Sequence, residues 1–453
     1  MSVRLKPVSG GNAVRDAPAL DAGSARNQTE AGAVVRYRSP AGATARDIAR
    51  EAFLDDLYLV LKRRADRNER SRDRRLLDRG QDERRSSAPT ERSGMRPEGQ
   101  AYRYLLVAFA ATLLLMVPLA TLGYLAAPQL YSASFLAQVG KEFGAGYNFA
   151  FFDLNIDMRE LRRQHIRHLE TRPEVVVLGA SHWQEAHSGL VPHRRFYNAH
   201  VHRDYYEDLL AVVEMLIRHR RLPDTLLLSI RDMTFAPLDV RSDTLWLTAL
   251  PDYRAMAARL DIPSHSRLET GELARWLGLL SLPTTWSNVV RWATADALPG
   301  ATREPSAASL DVVNVDGSVY WSRQHRAQFT PERTLREVQH ALQERRSRPP
   351  VIDRAAVDAV DRLLGLLSQR GVRIVLAHPP FNPDFYGGIE GTPYGEGLQR
   401  VEALTERLAR KHGAIVVGSF DPAEVGCGRT MYIDSEHSSP ECLRLVLNQI
   451  PDL

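Results

Sequence analysis

Apolar positions along the chain follow three rhythms. The first is an unbroken run, Tyr104–Ala127, with no charged residue in 24 positions. At about 1.5 Å per residue such a helix spans the ~30 Å hydrocarbon core of a bilayer. Tyr104 and Tyr124 near its ends suit interfacial aromatics, and Pro118 and Gly123 are tolerated in lipid. The second rhythm is short aliphatic runs that predict buried strands: Val175–Leu178, Phe196–Val201, Thr225–Ile230, Val372–Ala377 and Ala414–Val417. The third is a 3.6-residue period between those runs, which predicts helices over Tyr206–Arg220, Asp353–Arg370, Val401–His412 and Pro440 to about Ile450. Strands alternating with helices predict an α/β domain, a three-layer doubly wound parallel sheet over residues 173–453 with right-handed crossovers.

Two stretches break the alternation. Residues 128–172 read as a helical stalk. Residues 236–350 hold several tryptophans and prolines, with helices expected around 252–260 and 270–281 and a turn at Asp316-Gly317-Ser318 before Val319-Tyr320-Trp321. This segment is expected to be an insertion covering an edge or the top of the sheet.

Ahead of the apolar run, residues 1–43 are rich in Gly, Ala, Ser, Asn and Arg without apolar period and are expected to be disordered. Within 44–103, Phe53, Leu57, Val60 and Leu61 mark one face of an amphipathic helix, either a docking helix or a weakly ordered one. An Arg-rich linker follows. Its arginines alternate with Asp66, Glu69, Asp73, Asp78, Asp82 and Glu83, with no aromatic residues to stack on bases, so a solvated linker is expected and no nucleic acid partner. Beyond the run, no Lys or Arg occurs until Lys141. The positive-inside rule then puts the N-terminus in the cytoplasm and 128–453 outside, periplasmic in a Gram-negative cell, on a single-pass inner-membrane anchor. Overall composition, 25% charged and 44% apolar with a net charge of +4, is ordinary for a globular protein.

Candidate chemistry gathers at strand ends. Gly179-Ala180-Ser181 follows the first strand, where open α/β sheets place ligands. Asp434 and His437, three apart, follow the last strand. Topology brings both to one sheet edge, a set that supplies a nucleophile, a base and an orienting carboxylate. His182, His187, His193, His200 and His202 are either ligands for an anionic or sugar substrate or surface residues. Trp183 either stacks on a sugar ring or packs half-buried. His165 and His168 make only half a metal site, and a solvated helix surface is the expected reading; no metal or other cofactor is implied. Cys427 and Cys442 are the only cysteines. In an exported domain they either close a disulfide around Asp434 and His437, the expected reading and worth about 3 kcal/mol, or are two buried free thiols.

Val177-Leu178-Gly179-Ala180-Ser181, Tyr197-Asn198-Ala199, Leu226–Ile230, Val375–Pro380 and Asp434-Ser435-Glu436-His437 together resemble the SGNH (GDSL-like) hydrolase superfamily, over about residues 173–450. More narrowly they resemble its membrane-anchored members that accompany polysaccharide or cell-wall O-acylation. The resemblance implies Ser181 as nucleophile, His437 as base, Asp434 as its orienting partner, and the Ser181 N–H in an oxyanion hole. It implies an acyl esterase or O-acyltransferase acting on an exopolysaccharide or envelope glycan, with a polytopic membrane acyltransferase as partner. The chain departs from the family twice. His200 stands near where the second block has glycine, and Ser229-Ile230-Arg231-Asp232 replaces Gly-x-Asn-Asp, removing the asparagine donor. Arg231 either donates in its place or pairs with Asp232 or Asp204; Asn198 and His182 are further candidates for the oxyanion or substrate. The altered block leaves a second reading open, an inactive glycan-binding or scaffold module.

Overall fold

The computed structural model describes residues 98–126, 133–151, 156–202, 205–237, 249–264, 285–286, 290 and 299–453. The expectations for 1–96, for a helix near 270–281 and for Asp204 lie outside these residues. The first described element is a 29-residue helix, Glu98–Ala126, with Pro118 inside it. Its apolar side chains, among them Tyr104, Leu106, Phe109 and Leu114, are exposed. Among the described residues no helix is long and apolar enough to cross a membrane; the described side chains of this one run over 103–119 and 121–122.

After a helix at Ala133–Gly144 come β1 (Asn148–Phe151), a helix at Met158–His168, β2 (Val175–Leu178), β3 (Phe196–Asn198), a helix at Tyr206–Arg218 and β4 (Thr225–Ser229). The intervening segment gives a helix at Leu250–Arg259 and three short strands, β5 (Gly300–Thr302), β6 (Asp311–Val313) and β7 (Val319–Tyr320). Helices Pro331–Arg345 and Arg354–Gln369 lead to β8 (Arg373–His378), and helix Pro393–His412 leads to β9 (Ile415–Gly418). Helix Pro440–Leu447 lies near the end of the chain.

Strands β3-β2-β4-β8-β9 form one sheet in that order, every neighbour parallel. The two faces are read directly from the strands' period of two. Val176, Leu178, Leu226, Leu228, Ile374 and Leu376 face a core shared with helices 206–218, 250–259, 354–369 and 393–412. Val175, Val177, Leu227, Val375, Ala377 and Val417 face a second core closed by Leu443, Val446 and Leu447 of the last helix. Helices therefore cover both faces of an α/β sheet. The order runs outward in opposite directions from β2, which opens a crevice between the carboxyl ends of β2 and β4.

The stalk expectation is corrected by β1. Its residues pair antiparallel with β5 and β6, and β6 pairs with β7, giving a second sheet in the order β5-β1-β6-β7. Residues of the expected stalk and of the expected insertion thus share one small core, with Phe143, Phe149, Phe151, Val313, Val319 and Trp321 in it. Pairing partners about 150 residues away in sequence supply what a four-residue strand cannot hold alone.

Helix Met158–His168 is also not the solvated surface expected. Arg159 is fully buried and doubly hydrogen bonded to Asp208, Nε–Oδ1 2.6 Å and Nη2–Oδ2 2.9 Å. Arg162, buried, donates to the carbonyls of His200 (2.9 Å) and Gly317 (2.8 Å). His165 stacks on Phe143, centroids 4.0 Å apart, with Nε2 3.0 Å from the Val315 carbonyl; His168 Nδ1 lies 2.8 Å from the Gln164 carbonyl. The two imidazoles thus have separate partners, and among the described residues no group of three or more potential ligands could hold a metal ion.

Candidate active site

Ser181 sits one turn beyond β2, at the start of a 3₁₀ turn Ser181–Trp183. The first N–H groups of such a turn, here Ser181 and His182, have no carbonyl within the turn to bond. The strand can end in this tight approach because residue 179 is glycine. A Cβ there would lie 2.3 Å from the Ser229 Cβ of β4, well inside van der Waals contact. Gly179→Ala is expected to push β2 and β4 apart at the site, costing about 1–3 kcal/mol. Chemical denaturation of the variant against the parent checks this, and an unchanged midpoint would refute it.

The loop after β9 brings the other two groups. Asp434 Oδ1 accepts from the backbone N–H groups of Glu436 and His437, both at 2.7 Å, which folds Asp434–His437 into a compact turn. Asn382 Nδ2 donates to the Asp434 carbonyl at 2.9 Å and ties the turn to the loop after β8. Asp434 Oδ2 then lies 2.6 Å from His437 Nδ1, and His437 Nε2 lies 2.8 Å from Ser181 Oγ. Because an ionised carboxylate only accepts, Nδ1–H must donate to Asp434, leaving the Nε2 lone pair for the Ser181 hydroxyl. Ser181, Asp434 and His437 keep partial solvent exposure, so a substrate can reach them.

Burial works against charge on both titrating partners, and their mutual attraction overrides it. His437 is held above the usual histidine range: burial lowers its pKa, but the charge and hydrogen bond of Asp434 raise it further. Asp434 is held below the usual carboxylate range by His437 and the two backbone donors, against the upward pull of burial.

Behind the imidazole lies a buried charged layer. The His182 ring stacks on His437 with centroids 5.3 Å apart. His182 Nδ1 is 3.2 Å from Arg231 Nη1, and its Nε2 is 3.2 Å from Glu436 Oε2. Burial first, then the neighbouring guanidinium of Arg231, pull His182 down to about 4, so it is neutral at pH 7. Arg231 Nη2 donates to Glu436 Oε2 at 3.2 Å, with Asp232 Oδ1 at 3.7 Å, and Arg345 pairs with Glu436 from the other side. Arg231 and Arg345 outweigh the penalty of burial and hold Glu436 well below the usual carboxylate range.

The structure therefore brings Ser181, Asp434 and His437 together but assigns the three expected oxyanion or substrate groups elsewhere. Asn198 is fully buried, and its Nδ2 donates to the carbonyls of Trp183 (2.6 Å), Gln184 (3.3 Å) and Ala186 (2.8 Å). It shapes the loop behind Ser181 and has no donor left for a substrate. His182 and Arg231 are buried in the layer just described, so neither presents its side chain at the open side of Ser181. Trp183, the possible sugar platform, is fully buried, and so is His200; His193 lies exposed on a loop. Glu436 and Arg345 had no role in the sequence reading. Glu436 lies inside the Asp-Ser-Glu-His motif, but only the fold shows two arginines converging on it.

No protein-family model and no curated protein matches this chain. The site is therefore read from its own geometry.

Cys427 and Cys442 are joined in a disulfide, with Cα atoms 5.3 Å apart, and the closed loop holds Asp434 and His437. Both sulfurs are buried in the core on that face of the sheet, beside Tyr432. Cys427→Ser together with Cys442→Ser is expected to cost about 3 kcal/mol, the loop-closure value for about fifteen residues. Equal denaturation midpoints with and without the bond would contradict it.

Proposed function

We propose that the chain is an SGNH-type serine acyl esterase or O-acyltransferase, anchored in the inner membrane by Tyr104–Ala127, with the α/β domain outside the cytoplasm and an exopolysaccharide or envelope glycan as substrate. The observation that carries the catalytic part is the hydrogen-bonded relay from Ser181 Oγ through His437 to Asp434, at 2.8 and 2.6 Å. Support for the anchor comes from the uncharged run, its exposed apolar side chains and the arginines before it. The disulfide fits an oxidising compartment. The glycan, and a polytopic acyltransferase as acyl donor, rest on the family resemblance.

In this reading Ser181 Oγ attacks the carbonyl carbon of an acyl ester while its proton passes to His437 Nε2. The oxygen that becomes negative is met by the backbone N–H groups of Ser181 and His182 at the start of the 3₁₀ turn, in place of an asparagine side chain. His437 returns the proton to the leaving oxygen, and an acyl-serine remains. Water or a sugar hydroxyl, deprotonated by His437, then takes the acyl group.

The test is covalent. One sample of the full chain in detergent is treated with a fluorophosphonate, and a separate untreated sample is supplied with an acyl ester plus glycan. Stoichiometric labelling at Ser181 is expected in the first and acyl transfer to the glycan in the second. A folded protein that takes no label would favour the second reading, an inactive glycan-binding or scaffold module, which the immobilisation of Arg231 between Glu436 and His182 supports.

A further inference from the structure

Helices Arg354–Gln369 and Pro393–His412 leave an open groove of about 450 Å³ between them. Its floor is aliphatic: Ile352, Val357, Ala403 and Leu404. Three arginines, Arg354, Arg400 and Arg407, complete the lining, all exposed. None of the three makes a side-chain ion pair or hydrogen bond among the described residues, although Asp358, Glu396 and Glu406 lie on the same helices. Neighbouring cations on the same helix are paired: Arg410 with Glu406, and Lys411 with Asp361. Arg354 is moreover the first residue of its helix, where the positive end of the macrodipole disfavours a cation. Three exposed guanidinium groups with no carboxylate partner rim an aliphatic floor, and an anion is complementary to that rim.

The floor narrows what that anion is attached to. Carbohydrate sites offer aromatic faces and carboxylate or amide acceptors for hydroxyl groups, and this groove is lined by neither. Aliphatic side chains and arginines instead match an amphiphile with an apolar chain and a phosphate head. We infer that the groove binds an anionic phospholipid of the membrane in which the chain is anchored. This rests on the anchorage proposed above. The sequence from Ala126 to Ala133 allows a separation of at most about 25 Å whatever its conformation, which keeps the domain next to the headgroups. Lipid held there would fix which side of the domain faces the bilayer, and hence where Ser181 meets its acyl donor.

The test uses the full chain in detergent, titrated with dioctanoyl phosphatidylglycerol and followed by native mass spectrometry. The parent is expected to retain the lipid and to bind dioctanoyl phosphatidylcholine about tenfold more weakly. The triple variant R354Q/R400Q/R407Q should lose about tenfold or more in affinity, and A403E, which puts a carboxylate on the groove floor, should lose it likewise with an unchanged melting temperature. Equal binding by parent and both variants overturns the inference. So does binding of inorganic phosphate as tight as that of the lipid, which would make the groove a plain anion site. Release of the chain from native membranes by alkaline carbonate would sink the anchorage instead, and with it the assignment of the lipid to that membrane. The soluble-lipid titration decides the groove separately.

Discussion

Ser181→Ala is expected to lower ester turnover by the full chain about 10⁶-fold, and adding His437→Ala to lower it little further. In the proposed mechanism the two side chains act as one unit through the 2.8 Å contact between Oγ and Nε2, so removing either should remove the step both would perform. What survives is the contribution of substrate binding and the backbone donors, about 10³–10⁴ over water. Fold is not the cause of the loss, since Ser181 keeps partial exposure and its hydroxyl hydrogen bond goes to His437. The measurement is steady-state hydrolysis of p-nitrophenyl acetate by the parent, both single variants and the double variant. Effects that multiply instead of saturating would mean the two residues do not share a step, and the relay would then be structural.

What the sequence made legible follows from how local each signal is. Buried strands such as Val175–Leu178 and Arg373–His378 are runs of aliphatic residues with no competing period, so their type and place are readable, and the structure sets their ends within a few residues. Asp434 and His437 are readable as a pair because one short turn holds both, through backbone donors to Oδ1. By contrast β1 is four residues, Asn-Phe-Ala-Phe, whose pairing partners lie near 300 and 312. No local pattern announces a strand that depends on them. Arg159 and Arg162 look like a solvated helix face because charge is read as exposure. Their burial is decided by Asp208 and by the carbonyls of His200 and Gly317, which only the tertiary fold brings near. Asn198 is the same case in reverse. Its position at the carboxyl end of β3 suits a donor to substrate, yet three carbonyls of the loop behind Ser181 take its amide hydrogens.

Asp434→Asn is expected to lower turnover about 10⁴-fold and to move the acid limb of the pH profile to lower pH. An asparagine amide presented to Nδ1 as a donor favours the tautomer with the proton on Nε2, the wrong one for accepting from Ser181. The proposed mechanism requires neutral His437, whose pKa the Asp434 carboxylate holds above the ordinary 6.5. Parent activity should therefore rise with pH through a midpoint above 6.5, and the variant's residual activity through a lower one. The same pair has a signature in stability. His437, raised on folding, contributes fully below its unfolded pKa, and this is lost as pH rises through its folded value. Asp434, lowered on folding, contributes above its unfolded pKa, and this is lost as pH falls through its folded value. The stability gap between parent and variant should thus be widest at mildly acidic pH, roughly 4 to 6.5, and narrow on either side. A structural aspartate that merely caps the turn through Oδ1 would leave the kinetic midpoint where it is. Denaturation midpoints and kcat/KM, each measured across pH in both proteins, separate the two roles, and a variant whose midpoint does not move would remove Asp434 from the chemistry.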